Sequence, residues 1–97
     1  MIELSTEQVT QAVAGELFGD ATVLISGSVE TDSRLLKPGD LFVAKPGEVT
    51  DGHFFLTNAE RSGAVAALVE RIVDGISIPQ IKVANSVLAL GMLAKRS

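Results

Sequence analysis

Two short runs of uninterrupted apolar residues most constrain what this chain can fold into. Leu41-Phe42-Val43-Ala44 is bounded by turn-forming residues, and Ala64-Val65-Ala66-Ala67-Leu68-Val69 places six apolar residues in succession. Runs of four to eight apolar residues between Gly, Pro and Asp signals are what a buried strand looks like. Helical patterns alternate with them. Ser5 is placed to cap a first helix, with Gln8 three positions on completing a capping box and Val9, Ala12 and Val13 on one face. Gly15 is the expected stop.

Two strand signals follow, a weaker one at residues 16–18 and a stronger one at residues 22–26. Residues 28–34 are polar and turn-like. Lys37-Pro38-Gly39-Asp40 suits a type II turn, in which Gly takes the positive φ. Residues 45–52, with two glycines and a proline, read as an exposed loop. A helix is expected over residues 54–62, ending at Gly63. After an Asp74-Gly75 turn, residues 80–83 give another short strand. Asn85 then caps a last helix, apolar at Val87, Leu88 and residues 90–93. The fold class expected is α/β, a small layered domain with a partly parallel sheet flanked by helices.

With 97 residues, 46% of them hydrophobic and 21% charged, the chain suits one domain with a real core. Its four Phe without Trp or Tyr make that core mainly aliphatic. It has no cysteine, which excludes disulfides, thiolate catalysis and cysteine-based metal sites and fits a cytoplasmic location. A net charge of −4 without a basic run argues against a nucleic-acid partner. The N-terminus lacks the basic start and apolar stretch of a signal peptide. The longest uncharged apolar-rich stretch, residues 83–94, is shorter than the roughly 20 residues a bilayer requires, so no membrane partner is expected. The chain stops within or just after an apolar helix, without a turn signal, as expected of a piece cut from a longer protein.

Two polar clusters are candidates for chemistry. Thr31-Asp32-Ser33-Arg34 offers a hydroxyl, a planar fork of donors and turn N–H groups suited to an anion or a nucleotide base. The same residue types equally serve a solvated turn, with Asp32 and Ser33 capping it. The second cluster runs through Gly47 and Glu48 to Asp51, Gly52 and His53. There glycines allow close backbone approach, but a lone His more often caps or packs than catalyses. One His with scattered carboxylates shows no metal-ligand spacing. No nucleophile elbow, GxxxxGK[ST] phosphate loop or GxGxxG fingerprint is present, so no catalytic residue is assigned. Residues 28–53 hold five acidic side chains (Glu30, Asp32, Asp40, Glu48, Asp51) against three basic ones (Arg34, Lys37, Lys45). A diphosphate here would have to be met by backbone donors and one or two placed cations.

Taken together, TDSR at residues 31–34, KPGDLFVA at residues 37–44, Gly47-Glu48 and Asp51-Gly52-His53 resemble the N-terminal domain of the Mur ligases of bacterial cell-wall synthesis. Gly15-Glu16-Leu17, Ala59, Gly63-Ala64, Ala66-Ala67 and Leu68-Val69 extend the match along essentially the whole chain. Within the family, the Gly15-Glu16-Leu17 opening and the Gly47-Glu48 pair look most like the branch that adds D-alanyl-D-alanine. The branch that adds the third peptide residue shares the DSR and PGDLF elements. Lys45-Pro46 and Phe54-Phe55 depart from the family pattern without touching an assigned residue.

The resemblance implies that the domain holds the UDP end of UDP-N-acetylmuramoyl-tripeptide through Thr31, Asp32, Ser33, Arg34, Gly47, Asp51, Gly52 and His53. Ser33 and Arg34 would be the direct contacts and Asp32 mainly the organiser of the turn. It also implies that ATP and Mg, which activate the peptide carboxylate for attack by an amine, belong to the ligase's own central domain. This chain alone would then be inactive. A stand-alone α/β adaptor, binding a protein through an apolar face of its last helix, is the alternative from a different class.

Overall fold

In a computed structural model, which describes residues 3–45 and 55–96, the two apolar runs form neighbouring parallel strands. In chain order the elements are β1 (Leu4–Ser5), α1 (Thr6–Ala12), β2 (Glu16–Phe18), β3 (Leu24–Ile25) and β4 (Val29–Glu30). A 3-10 turn (Ser33–Leu35), β5 (Leu41–Val43), α2 (Leu56–Arg61), β6 (Ala66–Val69), β7 (Gln80–Lys82) and α3 (Ser86–Arg96) follow. The main sheet has the order β2-β7-β6-β5-β4. Strands β4 to β7 are parallel, and β2 pairs antiparallel on β7, Leu17 opposite Ile81.

The unbroken apolar runs follow from burial on both faces. Leu41, Val43, Ala66, Leu68 and Ile81 point one way, onto Val9 and Val13 at α1 and Ala89 and Leu93 of α3. Phe42, Ala44, Ala67 and Val69 point the other way, onto Leu36 and onto Leu56 and Ala59 of α2. The result is a mostly parallel sheet between helical layers, as the sequence predicts. The expected exposed loop at residues 45–52 lies almost wholly outside the described residues, as does Phe54 at the start of the expected second helix.

The first helix starts as its capping box dictates. The Gln8 N–H donates to Ser5 Oγ at 3.1 Å, and the Ser5 N–H donates to Gln8 Oε1 at 2.9 Å. The N–H groups of Thr6 and Glu7 donate to the carbonyls of Val23 and Ala21, so the four otherwise unpaired donors of Ser5, Thr6, Glu7 and Gln8 are met.

Its end differs from the sequence reading. The left-handed residue is Ala14 (φ 54°), not Gly15. The Gly15 N–H reaches back to the Thr10 carbonyl and the Ala14 N–H to that of Gln11, the double bond pattern of a Schellman cap. Gly15 is needed one position later for space: a Cβ there would lie 2.9 Å from Ile81 Cγ2 and 3.0 Å from the Lys82 carbonyl oxygen.

Two further corrections concern the strands. The weaker signal at residues 16–18 is the one that joins the main sheet. The stronger signal yields only β3, paired with β1 as a separate two-stranded ribbon. Val29 and Glu30, read as part of a polar turn, form β4 at the sheet edge, opposite Leu41 and Phe42. An edge strand exposed along one side carries no apolar alternation strong enough to announce itself. By contrast, Asn85 caps α3 as expected, its Oδ1 accepting from the Leu88 N–H at 2.9 Å.

Candidate functional site

In an open parallel sheet, ligands bind outside the carboxyl ends of the strands. Thr31, Asp32, Ser33 and Arg34 leave the carboxyl end of β4, and Lys45 leads away from the carboxyl end of the neighbouring strand β5. Both polar segments singled out in the sequence therefore start from one edge of the sheet, on adjacent strands. Gly47, Asp51, Gly52 and His53, on the second of them, lie outside the described residues.

Local chemistry builds the first segment. The Glu30 carboxylate accepts from the N–H groups of Thr31 (2.9 Å) and Asp32 (3.0 Å), which turns the chain as it leaves β4. Asp32 then caps the 3-10 turn by accepting from the Arg34 N–H at 2.9 Å. The same carboxylate holds the Arg34 side chain at two points, Nε to Oδ1 at 3.0 Å and Nη2 to Oδ2 at 2.8 Å. The Arg34 side chain nonetheless remains 86% exposed. The geometry is that of the capped turn: Asp32 caps it and also pairs with the exposed Arg34 side chain.

Charge follows from that geometry. The Arg34 side-chain hydrogen bond, then that of its backbone N–H, holds the Asp32 carboxyl down to about 2 from its ordinary 3.8. Hydrogen bonding to Asp32 raises Arg34 in turn. The pair stays ionised at any physiological pH. Arg34 uses two of its five N–H donors on Asp32. Its charge is largely balanced there, so the fork offers directional hydrogen bonds more than a long-range positive field.

The turn below is equally defined. The Asp40 N–H donates to the Lys37 carbonyl at 3.1 Å, and Gly39 sits at φ 92°, which is the type II turn expected at Lys37-Pro38-Gly39-Asp40. What sequence reasoning missed is the Asp40 side chain, buried and bonded to the N–H groups of Ser28 and Lys37. It missed Glu30 as well. The signal available was the carboxylate type itself, placed directly beside turns rich in unpaired N–H groups.

Farther along the same sheet edge, a cavity of about 500 Å³ is lined by Gly15, Glu16, Glu70, Lys82, Val83 and Ala84, among others. Glu70 there accepts from the Ser86 N–H (2.8 Å) and Oγ–H (2.9 Å), capping α3. Among the described residues, no group of His, Asp and Glu side chains is arranged to hold a metal ion. No described helix is long and apolar enough to cross a membrane.

Residues 27–97 match the family described as Mur ligase family, catalytic domain. The chain belongs to the Mur ligase family. It is 40% identical, over 98% of its length, to UDP-N-acetylmuramoyl-tripeptide–D-alanyl-D-alanine ligase of Haemophilus influenzae. It is 45% identical, over 97% of its length, to the enzyme of that name from Escherichia coli. The other branch is represented too. UDP-N-acetylmuramoyl-L-alanyl-D-glutamate–2,6-diaminopimelate ligase of Listeria monocytogenes is 50% identical over 68% of this chain and 13% of its own length.

The chain covers 21% and 20% of the two D-alanyl-D-alanine ligases, about a fifth of their length. Among solved structures, MurF from Acinetobacter baumannii superposes with a TM-score of 0.83 at 36% identity, covering 96% of this chain and 20% of that one. MurF from Thermotoga maritima in complex with ADP gives 0.66 at 33% identity, over 74% of this chain and 17% of that one.

Proposed function

We infer that this Mur ligase chain is the N-terminal module that holds the UDP end of UDP-N-acetylmuramoyl-tripeptide in a cytoplasmic, D-alanyl-D-alanine-adding ligase of peptidoglycan synthesis. The observation that carries the reading is Arg34. Its exposed fork is aimed by Asp32 at the carboxyl edge of a parallel sheet, in a domain that superposes on MurF over nearly its whole length. Ser33 and Thr31 add hydroxyls beside it, and residues 47–53 are assigned to the other side of the ligand. On the family resemblance, ATP, Mg and the amide-forming step are assigned to the remainder of the parent enzyme, with this chain alone inactive.

The direct test is a heteronuclear NMR titration with UDP and with UDP-N-acetylmuramoyl-tripeptide. Shifts concentrated at Thr31–Arg34 and at residues 47–53 are expected with both ligands. No shift at millimolar ligand would sink the reading in favour of a protein-binding adaptor. A second reading, the branch that adds the third peptide residue, is favoured by the Listeria relative. Both branches share the UDP end, so the amine accepted by the full-length parent decides between them: D-alanyl-D-alanine or a diamino acid.

A further inference from the structure

Among the described residues Asp40 is the one buried charged side chain, with 5% of its surface exposed. A carboxylate out of water needs hydrogen-bond donors. Asp40 finds them at the two ends of the segment that carries Thr31–Arg34. Its Oδ1 accepts from the Ser28 N–H at 2.8 Å and its Oδ2 from the Lys37 N–H at 2.9 Å. Gly27 leaves the room for this, since a Cβ there would stand 2.1 Å from Oδ1. The backbone of Asp40 is fixed separately, its N–H on the Lys37 carbonyl and its carbonyl on the Val65 N–H.

The type II turn is closed by backbone groups and does not need a carboxylate. What Asp adds over Asn is a second acceptor oxygen, so both ends of the loop are tied at one point. Between those ends, the path from β4 back to β5 is held by the local bonds of Glu30 and Asp32 and by Leu36, buried against Leu56 and Ala59 of α2. We propose that Asp40 is a positioning residue of the Thr31–Arg34 site: it closes the base of the loop over residues 28–37 and so sets where the Arg34 fork stands. Only the ligand arm of the test rests on the UDP reading given above.

The test compares the chain with its Asp40→Asn variant by ¹⁵N NMR and UDP titration, below the melting transition of both. The amide in Asn cannot accept from both N–H groups. Protection of the Ser28 or the Lys37 amide should therefore fall about tenfold, with Thr31–Arg34 becoming less ordered and UDP affinity falling by a similar factor. Signals from β6 and β7 should stay in place. A folded variant of lower melting temperature, with unchanged order at residues 31–34 and unchanged affinity, would show that Asp40 only stabilises the domain and would overturn the proposal.

If Asp40→Asn does not fold, Gly27→Ala keeps the carboxylate but displaces it, and the same readouts apply. In the unaltered chain, Ser28 and Lys37 amides exchanging as fast as unbonded ones would also overturn it. Absence of UDP binding by the unaltered chain would count against the UDP reading, leaving the loop-order measurement to decide the role of Asp40.

Discussion

Arg34 and Asp32 are joined at three points, two through the guanidinium and one through the Arg34 backbone N–H. The pairing is local, between residues two apart, yet it lies at the exposed edge of the sheet. It turns a flexible cation into a fixed donor array, which reduces the ordering cost a ligand must meet on binding.

Arg34→Ala should weaken binding of UDP by about tenfold or more, as for loss of a hydrogen bond to a charged group. Arg34→Lys should not restore it, because a point charge cannot reproduce the two-point geometry. Calorimetric or NMR titration measures both. Equal affinities for the three proteins would remove Arg34 from the site.

Acid should loosen the turn before it affects the core. The folded-state pKa of Asp32 is depressed to about 2 from 3.8, so its contribution is complete above about pH 4 and is lost as pH falls toward 2. Glu60, which accepts from the Ser77 and Ile78 N–H groups, and Asp20, which accepts from Thr22, are depressed by those hydrogen bonds and act with the same sign. Melting temperature should be flat through neutral pH and decline in that acid window. Asp32→Asn should make the decline shallower; an identical slope would contradict the assignment.

At the end of α1, Ala14→Gly should stabilise the domain by about 0.5–1 kcal/mol, because Ala14 occupies the left-handed region at φ 54°. Gly15→Ala should destabilise it by about 1–3 kcal/mol, since the added methyl meets Ile81 and the Lys82 carbonyl. Urea unfolding of the two variants would separate these opposite signs. A stabilising Gly15→Ala would mean that the cap is misassigned.

The outer face of α3 should govern self-association of the isolated chain. Val87 and Leu88 are 57% and 62% exposed, beside an apolar groove of about 220 Å³ lined by Val13, Val83, Leu88, Ala89 and Met92, among others. Leu88→Lys should change stability by no more than about 0.5 kcal/mol, as for an ordinary surface substitution. It should also lower the association seen by sedimentation velocity at high concentration. An unaltered chain that stays monomeric throughout would refute this expectation.

The sequence by itself determined the features made by near neighbours. The Ser5–Gln8 capping box, the Lys37–Asp40 type II turn and the Asn85 cap are each closed by hydrogen bonds across three or four residues. The buried runs at β5 and β6 were equally legible, because burial on both faces leaves no polar alternation. The order and spacing of the TDSR and PGDLFVA segments also point to the family.

Tertiary structure alone decided the rest. Whether residues 16–18 or 22–26 join the main sheet depends on which strand finds β7, far along the chain. Val29 and Glu30 become a strand only because Leu41 and Phe42 lie alongside. Gly15 is required by Ile81 and Lys82, not by its own helix. The role of Asp40 likewise depends on Ser28, twelve residues back, which no local pattern identifies. The physical reason is common to all four: the deciding partner is brought near by folding of the sheet, and a residue carries no local mark of a partner it has yet to meet.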